Sequence, residues 1–185
     1  VIHSEMPQQE SGRMRGFQLW INLPAAQKMT APEYQDISPQ AIPEVNVDDA
    51  TVRVIAGEFE GRQGPVTDAH TNFHFLDIAL EPGVHFEHTV PAHDTVFIYL
   101  FEGDATIGDE ALQEQQLAVL DEGERISITA GSHAARFLLV SGSAIGEPIV
   151  QYGPFVMNSR DEINQALEDF RDGKLVQTRA DMISR

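Results

Sequence analysis

TVFIYLFEGD, residues 95–104, is β-branched, aromatic or leucine over seven positions and then stops abruptly at Glu102-Gly103-Asp104. Such a run suits a pleated, half-buried surface, and the Gly-Asp pair that closes it suits a tight turn. Working outward on the N-terminal side, FHFLDIAL at 73–80 is apolar on nearly every residue, as in a strand covered on both faces, and Glu81-Pro82-Gly83 is a strong turn. On the C-terminal side, strands are expected at 117–120, 125–129 and 135–140. Short β-prone runs separated by Gly, Pro and Asp predict an all-β sandwich or barrel.

Further out, TVRVIA at 51–56 reads as a strand that leads into a glycine-rich loop at 57–65. FQLWINL at 17–23 reads as another strand, ended by Pro24. Residues 24–45 carry Pro24, Pro32, Pro39 and Pro43, which predicts a surface-packed linker with a helical turn. Only the end reads as helix. Ser159-Arg160-Asp161-Glu162 is a capping box, Ile163, Ala166, Leu167 and Phe170 share one helical face, and Gly173 supplies the stop. A helix over about 159–172, docked by that stripe, is expected.

The 185 residues suffice for one good core, and a hydrophobic share of 42% with 22% charged residues is ordinary for a globular chain. Twelve basic against 29 acidic residues give a net charge of −17, which disfavours nucleic acid and anionic lipid as direct partners. No apolar run reaches the roughly 20 residues of a membrane span. There is no cysteine, which excludes thiolate catalysis and disulfides and fits a cytoplasmic protein. No nucleophile elbow, phosphate loop or dinucleotide fingerprint occurs. Glu58, Glu60, Glu122 and Glu124 read as a solvated acidic face.

His3-Ser4-Glu5 is the first candidate for chemistry. In an extended strand, residues two apart share a face roughly 6.5–7 Å apart, so an imidazole and a carboxylate can converge on one ion. Both suit Fe(II), Zn, Mn or Ni. Alone, the signal is weak, and the pair reads first as a surface His beside a surface Glu.

Five segments taken in order are more specific: IHSEMP at 2–7, GFQLWINLP at 16–24, VRVIAG at 52–57, EPI at 147–149 and YGPFVMN at 152–158. Together they resemble the pirin family over nearly the whole chain. The resemblance implies a bicupin, in which two double-stranded β-helix (jelly-roll) barrels are joined by a linker and finished by a C-terminal helix. It implies that residues 1–24 are the tail of a first, metal-binding cupin and 25–46 a linker. A second, metal-free cupin then occupies 47–150, and a C-terminal segment 151–185. It further implies a single divalent metal, Fe(II) in the first instance, held by three His and one Glu. His3 and Glu5 match the last two of these, and two further His are expected upstream of Val1. The implied activity is that of a quercetin 2,3-dioxygenase on a flavonol, with Glu5 as ligand and catalytic base. The alternative is a metal- or redox-sensitive regulator of protein partners, transcription factors or metabolic enzymes, without catalysis.

The remaining histidines do not follow the general cupin spacing. Counting back from Gly103 places the expected Glu at Val96 and the expected paired His at Thr89 and Pro91. His85, His88 and His93 miss these positions and are expected in a turn or at a solvated rim. His70, His74 and His133 stand outside the pattern too. The paired-His strand of a first cupin is absent from this chain, which should leave Phe17, Leu19 and Trp20 uncovered.

Overall fold

The computed structural model describes residues 11–12, 14–67, 72–178 and 180–184. In chain order its strands begin with β1 (Glu33–Asp36), β2 (Glu44–Val47), β3 (Ala50–Ala56), β4 (Glu58–Phe59) and β5 (Arg62–Gln63). Next come β6 (His74–Leu80), β7 (His85–Thr89), β8 (Asp94–Glu102), β9 (Asp104–Ile107) and β10 (Glu110–Gln113). The chain continues through β11 (Gln116–Leu120), β12 (Arg125–Ala130), β13 (Ala135–Ser143), β14 (Val150–Tyr152) and β15 (Phe155–Met157). Helix α1 (Arg160–Arg171) and β16 (Asp181–Ser184) complete it. Two compact units result, one of residues 37–144 and one of 1–36 with 145–185.

The unit of residues 37–144 is an all-β barrel of two facing sheets. One has the order β11-β8-β13-β6-β3-β2 and the other β10-β9-β12-β7. Alternation along each strand makes the core. On β6, Leu76, Ile78 and Leu80 point inward and are fully buried, and on β13 Phe137 and Leu139 do the same. Phe86, Ile126 and Ile128 meet them from the other sheet. The five barrel strands expected around the opening stretch, and the strand at 51–56, are all present within a residue or three of their expected ends. Gly103 closes β8 at φ +81°, and a Cβ there would lie 2.0 Å from the Ala134 carbonyl oxygen. Only glycine fits that turn without moving backbone.

In the other unit, β14 and β15 form a hairpin against which α1 packs, and β1 pairs in parallel with β16. The expected helix is present. The Ser159 hydroxyl accepts from the Glu162 backbone N–H at 3.3 Å, and the Glu162 carboxylate accepts from the Asn158 backbone N–H at 2.9 Å and the Ser159 hydroxyl at 3.1 Å. Those bonds, the Asn158 one foremost, hold the Glu162 carboxyl below its usual range. Ile163 and Ala166 are buried, and Phe170 meets the edge of Phe155 with ring centroids 6.3 Å apart. Ser159→Ala should destabilise this helix by about 1 kcal/mol, read as an earlier loss of helical signal on heating.

Two expectations are corrected. Residues 17–23 form no strand, because among the described residues no neighbouring strand offers a hydrogen-bonded ladder, and β-structure requires a partner. The segment instead runs as irregular chain, with Phe17 and Trp20 exposed and Leu19 half-buried. The linker region 25–46 holds more structure than one helical turn. It contains 3-10 turns at Ala25–Gln27 and Pro39–Ala41, as well as β1 and nearly all of β2.

Candidate functional site

His3 and Glu5 lie outside the described residues, as does His70. Among the described residues no group of three or more His, Asp or Glu side chains converges as metal ligands do. The positions that cupin spacing assigns to ligands hold Thr89, Pro91 and Val96, and Val96 is buried in the apolar core.

The barrel does bring two histidines together. His74 is the first residue of β6, in phase with the inward Leu76, Ile78 and Leu80. His88 lies on β7 in phase with the buried Phe86, so it faces the interior rather than a turn or a solvated rim. That corrects the expectation for His88, whose strand pairs with β12. The two rings approach to 6.5 Å between centroids, and Phe59 stands 5.6 Å from His88. Gly57 backs His74 so closely that a Cβ there would sit 2.6 Å from the His74 Cγ. His74 Nδ1 and His88 Nε2 are both sealed from solvent without a hydrogen-bond partner. The signal was present in the sequence as alternation, since each histidine keeps the inward phase of its strand.

Burial, aided by the neighbouring His74, pushes the His88 imidazole down from 6.5 to about 4. The unfolded chain takes up this proton near the ordinary value, whereas the folded chain resists until about 4. The corresponding stability is therefore complete above pH 6.5 and is lost as the pH falls between those two values. His88→Phe should flatten this part of the profile, measured as a smaller shift in urea midpoint between about pH 7 and pH 5 than in the unmodified protein.

The other described histidines are exposed. His85 lies beside Glu87, and His93 beside Glu122. His133 lies 3.0 Å from the Asp104 carboxylate, which this contact holds below its usual range.

In the unit of residues 1–36 and 145–185, a groove of about 740 Å³ is lined by apolar side chains that include Trp20, Ile21, Tyr34, Phe155, Met157 and Phe170. Trp20 is 62% exposed and Tyr34 53%. In the same unit, Glu147 accepts from the Ala25 backbone N–H at 2.7 Å and from Asn158 Nδ2 at 2.8 Å. The Glu147–Asn158 bond joins the EPI segment to the YGPFVMN segment.

Comparison with known proteins places these features. Residues 75–176 match the model of the pirin C-terminal cupin domain. Pirin-1 of Arabidopsis thaliana is 41% identical over 94% of this chain and 62% of its own length. Human pirin is 38% identical over 94% of this chain and 61% of its own length. The crystal structure of a quercetin 2,3-dioxygenase from Acinetobacter baumannii superposes with a TM-score of 0.80 at 36% identity. It covers 84% of this chain and 55% of that one. The chain thus spans less than two thirds of the length of these relatives. No helix among the described residues is long and apolar enough to cross a membrane.

Proposed function

We propose, from the premise that the chain belongs to the pirin family, that the full-length protein is a metal-dependent oxygenase of flavonols of the quercetin type. The observation that carries this reading is the His3-Ser4-Glu5 triplet within a chain so similar to a quercetin dioxygenase. His3 and Glu5 supply an imidazole and a carboxylate, donors suited to an iron-type divalent ion, and the remaining ligands come from residues upstream of Val1. When bound, the ion supplies a Lewis-acidic, redox-active centre for dioxygen chemistry. Glu5 accepts the 3-hydroxyl proton of the flavonol, the role of a carboxylate within hydrogen-bond reach of an acidic hydroxyl.

The test is oxygen uptake by the iron-loaded full-length protein on addition of quercetin. Quercetin-dependent uptake is expected. No uptake, with a stable complex to a protein partner, would favour the second reading of a metal-sensitive regulator. The charge of −17 suits protein partners better than nucleic acid.

A further inference from the structure

Residues 57–65, the glycine-rich stretch that follows β3, form an element that the flavonol reading leaves unused. Strands β4 and β5 pair as a hairpin of their own, with Glu58 opposite Gln63 and Phe59 opposite Arg62, and belong to neither barrel sheet. The turn at Glu60-Gly61 has φ of +47° and +72°, as a two-residue hairpin turn of this kind requires. A two-stranded hairpin is marginally stable alone in water, so this one depends on what it touches. Glu58, Glu60, Arg62 and Gln63 are exposed. Phe59 is the one buried side chain of residues 58–63, and its ring lies 6.0 Å from Phe86 and 5.6 Å from His88. The barrel end it covers is the one where cupin spacing places ligands, since Ser141 pairs with Val96 on one side and with His74 on the other.

We propose that the β4–β5 hairpin is a gate on that end of the barrel, hinged at Gly57 and Gly64 and latched by Phe59, which opens as a unit while the two barrel sheets stay formed. The two glycines bracket the hairpin, and the Gly64 N–H donates to the Gly57 carbonyl at 2.9 Å. Both are pressed against the barrel: a Cβ at Gly57 would lie 2.6 Å from the His74 Cγ, and one at Gly64 2.6 Å from the Ile55 carbonyl carbon. Glycine therefore lets the hairpin seat closely when shut, and it gives both hinge residues the widest backbone range when open. Just beyond the hinge the chain is fastened again, because the Val66 N–H donates to the Ile55 carbonyl at 3.1 Å and Val66 bridges to Ala56. Opening gives up the seat of one ring and the hairpin's own bonds, whereas unfolding the barrel gives up the whole core between its sheets. Local opening is accordingly the more frequent event. It uncovers the Phe86 ring and the His88 imidazole to water and small solutes, so access to the barrel interior does not require the sheets to part.

The test is native-state hydrogen exchange of the unsubstituted chain, followed by residue in low urea. The Gly64 amide should exchange at least about 10²-fold faster than those of Ile78 and Leu139 on the central strands, with a much weaker dependence on urea, because gate opening exposes little surface. In parallel, acylation of His88 by diethyl pyrocarbonate, located by peptide mass spectrometry, should proceed at a rate that urea below the unfolding transition hardly changes. Phe59→Ala should raise both rates by about tenfold or more, and Phe59→Leu, which keeps an apolar latch, by less. Gly64 exchange that matches Ile78 and Leu139 in rate and urea dependence, or His88 acylation that occurs only with global unfolding, would overturn the gate. These readouts involve no metal, dioxygen or flavonol, so their failure is separate from failure of the oxygenase reading.

Discussion

Replacing Glu5 by Gln in the full-length protein is expected to reduce quercetin-dependent oxygen uptake by on the order of 10²–10⁴-fold, the usual range for loss of a positioned general base. The substitution keeps the shape of the side chain and removes its charge, its carboxylate ligand to the metal and its capacity to take a proton, so bound metal per chain is measured beside turnover. It therefore separates chemistry from folding, and the thermal midpoint should stay close to that of the unsubstituted protein. His3→Ala should lose activity to a similar extent by another route. A metal ligand disappears, so the bound metal per chain should fall together with turnover. If both variants turn quercetin over at the original rate, neither residue has the role assigned to it.

The largest effect on stability is expected from Phe137→Ala, at about 3–5 kcal/mol. Phe137 lies on the central strand β13, wholly buried, opposite Ile78 on β6 and Leu100 on β8, which are also wholly buried. Its ring meets Phe86 of the facing sheet edge-on at 6.5 Å. Removing it opens a cavity at the point where the two sheets touch, and the paired strands on either side limit how far the walls can collapse. The measurement is the urea midpoint, with the slope unchanged if the native fold is retained. A shift worth less than about 1 kcal/mol would show that the sheets do not meet through this side chain.

The barrel was legible because its strands carry their own signals. The inward residues of β6, β8 and β12 mostly alternate with less buried ones, β13 is an apolar run buried on both faces over 137–141, and Gly103 marks a turn that tolerates no Cβ. Helix α1 was legible for the same reason, since the Ser159–Glu162 box is local chemistry. What local pattern cannot supply is a partner. FQLWINL has the composition of a strand, yet no strand forms without a ladder to join. Conversely, β1 and β16 pair in parallel although some 140 residues separate them and neither reads strongly as a strand. His88 reads as a rim residue by its spacing to Gly103, although it keeps the phase of Phe86 two residues before it. Once β7 is seen to pair with β12, residue 88 must face the interior with residue 86. His3 and Glu5 were legible only through the motif that contains them, and their placement is outside the described residues.

The most direct measurement of the central claim is the fate of isotopically labelled dioxygen. The iron-loaded full-length protein would be incubated with quercetin under ¹⁸O₂ and the product analysed by mass spectrometry. Incorporation of both atoms of one dioxygen molecule into the product, abolished by Glu5→Gln, is the predicted result. A product carrying one labelled oxygen or none, or quercetin recovered unchanged, would contradict the assignment of a flavonol dioxygenase.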